Sequence, residues 1–163
     1  MAGPRVFVRC AVPAPAERVF ALLTRADGLS QWFCDEASSD DQAGGEVRVL
    51  WNDPDGEPLS RSGAWQRLEP PHVATLVWDG PPNWPGDEAD VLEFAIAPSE
   101  DGGSVVTVSS GLPGGFDRLA EATLVDATEA SWRQCFADLA LALAHGGAGQ
   151  THEDDPGATG DVA

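Results

Sequence analysis

PAPAERVFALLTRADGLSQWF, residues Pro13 to Phe33, is the stretch that decides the fold. It follows RVFVRCAV, in which Val6, Val8, Cys10 and Val12 alternate with Phe7, Arg9 and Ala11, the pattern of a half-buried strand. Pro13 and Pro15 stop that strand, and Pro15 suits a first helical turn, where its missing N–H costs nothing. Val19, Phe20 and Leu23 then form an apolar stripe at helical spacing, with Glu17 near the positive end of the helix. Asp27 is the expected N-cap of a second short helix carrying Leu29, Trp32 and Phe33 at i, i+3 and i+4. One strand feeding two short helices is how a curved sheet that encloses a pocket begins.

The rest of the chain supplies the sheet. Turn signals at Gly44-Gly45, at Asn52–Gly56, at Pro70-Pro71 and at Ser99–Gly103 separate strand-like runs. The runs span 46–51, 59–69, 72–78, 91–97 and 104–110. With the first strand they make six, or seven if a short edge strand lies near 35–39, and such short connections favour antiparallel neighbours. A long helix is predicted to start between Asp117 and Leu124 and to end near Ala144, with Gly146-Gly147 as its stop. Trp132, Phe136, Leu139 and Leu143 fall on one stripe of it. The expected fold class is therefore α+β, an antiparallel sheet of six to seven strands wrapped around a long C-terminal helix. Residues 1–145 form one domain, and the Gly- and Asp-rich segment 146–163 is expected to be a disordered acidic tail.

Composition excludes several roles. The formal net charge is -18 with no lysine, so phosphate backbones and anionic lipid heads are poor partners. A GC-rich genome explains this arginine-only, acidic composition more simply than adaptation to high salt. No apolar run is long enough for a membrane span, and the N-terminus lacks the apolar core of a signal peptide, so the expected compartment is the cytoplasm. Cys10, Cys34 and Cys135 are odd in number and widely spaced, which suggests neither a disulfide framework nor a zinc site. Cys10 and Cys135 read as buried small hydrophobes, and the carboxylates of Asp35 and Glu36 should raise the Cys34 thiol pKa. The spacing of His72, His145 and His152 matches no metal or catalytic arrangement, and no cofactor is expected.

Several stretches together carry a resemblance: PAERVFALLTRADGLSQWF (15–33), Gly44-Gly45, GAWQRLEPPHVATLVWDG (63–80), VLEFAIAPSEDGGSVVTVSSGLP (91–113) and SWRQCFADLALAL (131–143). In order and spacing they resemble the START-like (SRPBCC) superfamily with the helix-grip fold. Within it they are most similar to the branch named after the activator of Hsp90 ATPase (activator of Hsp90 ATPase homologue 1-like). Residues 114–128 depart from that pattern, being longer and less regular. The resemblance implies a cavity between sheet and long helix, which relatives use for lipids, sterols, polyketides or other apolar small molecules.

Six tryptophans and six phenylalanines, with no tyrosine, are the material for such a cavity. Trp51, Trp65, Trp78 and Phe94 lie in strands, and Trp32, Phe33 and Trp132 lie in the helices that bound the sheet. Any one ring is more simply a core residue; the set of seven points to a site for a flat, greasy ligand. Arg48 and Glu93 interrupt apolar strands but fall on the solvated parity. Trp84, in a Pro/Gly-rich loop, is a candidate lid or contact residue. The leading reading is non-catalytic binding of a small hydrophobic or aromatic molecule. The alternatives are a polyketide cyclase or aromatase, with a positioned acid or base, and a chaperone-interacting domain. A homodimer also stays open.

Overall fold

The computed structural model describes residues 2–79, 90–113 and 115–150. Strand β1 (Ala2–Val12) leads into helices α1 (Ala16–Thr24) and α2 (Ala26–Trp32). Six strands follow: β2 (Glu36–Ser39), β3 (Glu46–Trp51), β4 (Leu59–Glu69), β5 (Val73–Trp78), β6 (Asp90–Pro98) and β7 (Ser104–Pro113). Helix α3 (Arg118–Gln150) comes last. The seven strands form one antiparallel sheet in the order β1-β7-β6-β5-β4-β3-β2, so the chain's first and second strands are its two edges. This is the helix-grip arrangement, and the edge strand foreseen near 35–39 is β2.

Side-chain alternation sets the concave face. Val6, Val8 and Val12 of β1, Val47 and Val49 of β3, and Leu92, Phe94 and Ile96 of β6 are all buried at period two. Phe7, on the other parity of β1, is 63% exposed. In β4 the register shifts between Trp65 and Arg67, so the inward parity changes from Arg61, Gly63 and Trp65 to Leu68. Gly63 has a steric reason: a Cβ there would lie 2.5 Å from the Val77 carbonyl oxygen, so β4 can press this closely on β5 only with glycine.

The helices close the hollow. The carbonyl of Pro15 accepts the first bonds of α1, from the N–H groups of Arg18 and Val19. Arg25, with extended backbone, is the N-cap residue of α2; Asp27 lies two residues further on, within the first turn, so its predicted capping role is not realised. Trp132, Phe136, Leu139 and Leu143 form the buried stripe of α3, as the spacing requires. Full burial of one such side chain is worth about 1.5–3 kcal/mol. Gly146-Gly147 does not end this helix, which continues to Gln150. Arg18 ties α1 to α3 by donating from Nη2 to the Leu143 carbonyl at 2.6 Å. The Trp84 expectation and the tail beyond Gln150 lie outside the described residues.

Candidate functional site

The site grows from Phe33, the residue that ends α2. Its ring is stacked on Trp132 of α3 (5.8 Å between centroids, 17° between planes) and on Trp78 of β5 (6.5 Å, 16°). Trp51 of β3 meets it edge-on at 5.3 Å, and Trp32 meets it tilted at 5.2 Å. Phe94 closes the group, 6.3 Å from Trp32 and 5.8 Å from Trp132. Six of the seven candidate residues thus form one continuous aromatic wall. Trp65 is the seventh and lies apart from it. It is 1% exposed, and its indole N–H donates to Ser39 Oγ at 2.9 Å, which in turn donates to the Thr24 carbonyl at 2.6 Å. That relay pins β4 and β2 to α1 and gives Trp65 a structural task.

Hydrogen bonding sorts the remaining indoles. Trp32 donates to the Leu22 carbonyl at 2.7 Å and Trp51 to the Phe33 carbonyl at 2.6 Å, so both rings are locked by backbone. Trp78 and Trp132 are buried (3% and 8% exposed), and neither indole N–H has a hydrogen-bond partner among the described residues. Buried indole N–H groups usually find an acceptor.

Trp78, Trp132, Phe33 and Trp51 border a cavity of about 450 Å³ between the sheet and α3. That lies within the range of about 300–1,000 Å³ typical of small-molecule sites. Its floor is Leu92 and Ser110; Leu124, Thr128 and Ser131 of α3 form the opposite wall. Trp32, Phe94 and Trp65 do not reach it: the first two back the aromatic wall from behind.

Two other hollows are of similar size. One, of about 570 Å³, runs along Phe116, Leu119 and Thr123, and one of about 470 Å³ runs beside Gln31 and Asp138. The larger is bounded by one helix and its lead-in alone. The other borders the outer side of α2 and the end of β3. Among the hollows bounded by described residues, the cavity over β4–β7 is the one enclosed by the sheet's concave face and α3 together, so it is the candidate site.

Arg61 is a lining residue that the sequence reading did not single out. Its guanidinium carbon sits 4.8 Å from the centre of the Trp78 ring, within cation–π range. The signal was present: Arg61 shares the parity of Trp65, four residues on, and Gly63 between them cannot screen it. Ser110 is another such residue, 7% exposed, on the inward parity of Val106 and Val108. Arg48 and Glu93 take the solvated parity as expected. The Arg48 side chain is 64% exposed beside Glu46, and Glu93 alternates with inward Leu92 and Phe94.

The thiols are chemically quiet. Cys34 is pushed up to about 11, chiefly by burial and only secondarily by Asp35, so the neighbouring carboxylate is the lesser cause. Burial also raises Cys10 and Cys135, which are half-buried rather than fully enclosed. Among the described residues no group of three or more His, Cys, Asp or Glu could hold a metal ion, and no helix is long and apolar enough to cross a membrane.

Comparison with known proteins agrees with this geometry. The family model described as "Activator of Hsp90 ATPase homolog 1-like protein" matches residues 13–144. No curated protein matches the chain. Among solved structures, a protein from Nitrosomonas europaea is similar at 17% identity with a TM-score of 0.72, covering 88% of this chain and 96% of that one. CalU16 from Micromonospora echinospora is similar at 19% identity and 0.65, covering 85% and 73%. Aha1 from Colwellia psychrerythraea, solved as a dimer, is similar at 19% identity and 0.66, covering 86% and 96%. Identities this low speak to the fold alone, whereas the family match spans most of the chain. With its seven-stranded sheet gripping α3, the chain belongs to the activator of Hsp90 ATPase homologue 1-like family of the START-like superfamily.

Proposed function

We propose that the protein binds a small, flat, hydrophobic or aromatic molecule in the cavity between the sheet and α3, without chemistry of its own. The observation that carries this reading is the wall of Phe33, Trp78 and Trp132, stacked near-parallel beside a cavity of about 450 Å³. A planar ligand laid against it buries apolar surface worth about 25 cal/mol per Å² and gains ring contacts beyond that. The described lining contains no carboxylate or histidine to act as acid or base, which favours binding over the cyclase reading. Native mass spectrometry of the protein purified from its own host tests the proposal: a retained aromatic or polycyclic compound supports it. Uniformly empty protein that also fails to bind added aromatic probes refutes it.

One feature favours a second reading, a protein contact of the kind the family's description suggests. Leu119, in the first turn of α3, is 79% exposed, and Phe116, in the lead-in to that helix, is 42% exposed. If that strip meets a chaperone, the protein stimulates Hsp90 ATPase turnover and Leu119→Asp abolishes the stimulation; an unchanged turnover removes this reading. The three free thiols suit a reducing compartment, and we place the protein in the cytoplasm, a reading that cell fractionation tests.

A further inference from the structure

Two buried donors stand at the cavity without an acceptor. Trp32, Trp51 and Trp65 give their indole N–H groups to the Leu22 carbonyl, the Phe33 carbonyl and Ser39 Oγ. Trp78 and Trp132 are both more than nine-tenths buried, yet neither N–H meets an acceptor among the described residues. The two are grouped in space. Both line the same cavity, and both rings stack on Phe33, with centroids 6.5 and 5.8 Å from its own. The hydroxyls on the same lining do not serve them. Thr128 Oγ1 donates to the Leu124 carbonyl at 2.8 Å, and neither it nor Ser110 or Ser131 accepts from an indole among the described residues.

An indole N–H can donate a hydrogen bond and cannot accept one. Left bare in a buried site, it costs more than a made bond gains. An apolar occupant that displaced water from these two groups would lose affinity, whereas one carrying an acceptor oxygen would restore their bonds. A carbonyl suits them best. Its oxygen has two lone pairs, and it brings no donor that needs a partner of its own.

We propose, resting on the binding function above, that the cavity selects a planar aromatic ketone or quinone and holds it by a carbonyl oxygen. Trp78 and Trp132 are the specificity-determining residues: their N–H groups distinguish a carbonyl compound from a hydrocarbon of the same outline. Phe33 has no donor and the Trp51 N–H is already taken, so these two rings add apolar surface without that discrimination.

Equilibrium dialysis with 9-fluorenone and with fluorene tests this. The two tricycles share an outline and differ in a C=O against a CH2. Fluorene is the more apolar, so a cavity without free donors favours fluorene, and two waiting N–H groups reverse that order. Wild type should bind fluorenone on the order of fivefold more tightly. In 1H–15N spectra, at least one of the Trp78 and Trp132 indole protons should lie further downfield with fluorenone than with fluorene. The double variant Trp78→Phe/Trp132→Phe keeps two aromatic rings, removes both N–H groups and should return the preference to fluorene. Wild type that binds fluorene as tightly as fluorenone, or more tightly, overturns the proposal and leaves aromatic binding standing. A ketone preference that survives in the double variant also overturns it. Binding of neither compound overturns it together with aromatic binding in this cavity. Should the double variant fold poorly by circular dichroism, the wild-type spectra decide: the same indole positions with both ligands overturn the proposal.

Discussion

The two halves of α3 do different work on the same backbone. From Trp132 to Leu143, large apolar residues recur every three or four positions, and Trp132, Phe136, Leu139 and Leu143 are all buried. From Arg118 to Ser131 not one residue is fully buried, and Leu124, Thr128 and Ser131 face a cavity instead of a packed core. The second half is the grip of the fold; the first is a cover. A helix of 33 residues extends about 50 Å, so one end can be anchored while the other spans an opening. Core packing is thus concentrated in the second half, while the first half lies over the cavity that Trp132 also borders.

That division predicts a graded response to truncation. The largest effect belongs to the grip: Trp132→Ala, which removes contacts to Phe33, Phe94 and Phe136, should cost about 3–5 kcal/mol, read by urea denaturation. Next comes the relay that holds Trp65. Ser39→Ala leaves a buried indole N–H without an acceptor and should cost about 1–3 kcal/mol. The mildest effect belongs to the cover: Leu124→Ala should change stability by less than about 1 kcal/mol while weakening aromatic probes severalfold. If Leu124→Ala proved as damaging as Trp132→Ala, the two halves would be one core and the distinction would be lost.

A pH experiment sharpens the same contrast from the packed side. The Cys34 thiol is raised in the folded state from 9.0 to about 11, mainly by burial. Between those values the unfolded chain loses the proton and the folded protein keeps it. The contribution is therefore fully present below pH 9 and is lost as pH rises towards 11. Native Cys34 should also react with a thiol reagent more slowly at pH 8 than the same cysteine in denaturant. Equal rates would mean that α2 does not shield it.

Most of the scaffold was legible because its signals are local. Alternation in the β1 and β6 runs, the Pro13 and Pro15 breaks and the apolar stripe of α3 each specify an element without reference to distant residues. The cap at Arg25 and the run of α3 through Gly146-Gly147 were not legible, because an exposed turn and a helix end depend on small preferences that context overrides. The aromatic wall was visible as a set but not as a partition. Trp65 and Trp78 occupy equivalent inward positions in adjacent strands. What separates them is Ser39, brought from 26 residues away to satisfy one indole and not the other. Arg61 was legible by parity alone, but its place over Trp78 follows from the β4–β5 register and from Gly63.

The most direct test follows the indole N–H resonances of the 15N-labelled protein while 2-naphthol is added. The cavity account predicts that the Trp78 and Trp132 signals shift together and saturably, while that of Trp65, held by Ser39, stays in place. Saturable binding that moved only backbone signals between Phe116 and Ala127, leaving both cavity indoles unchanged, would contradict it.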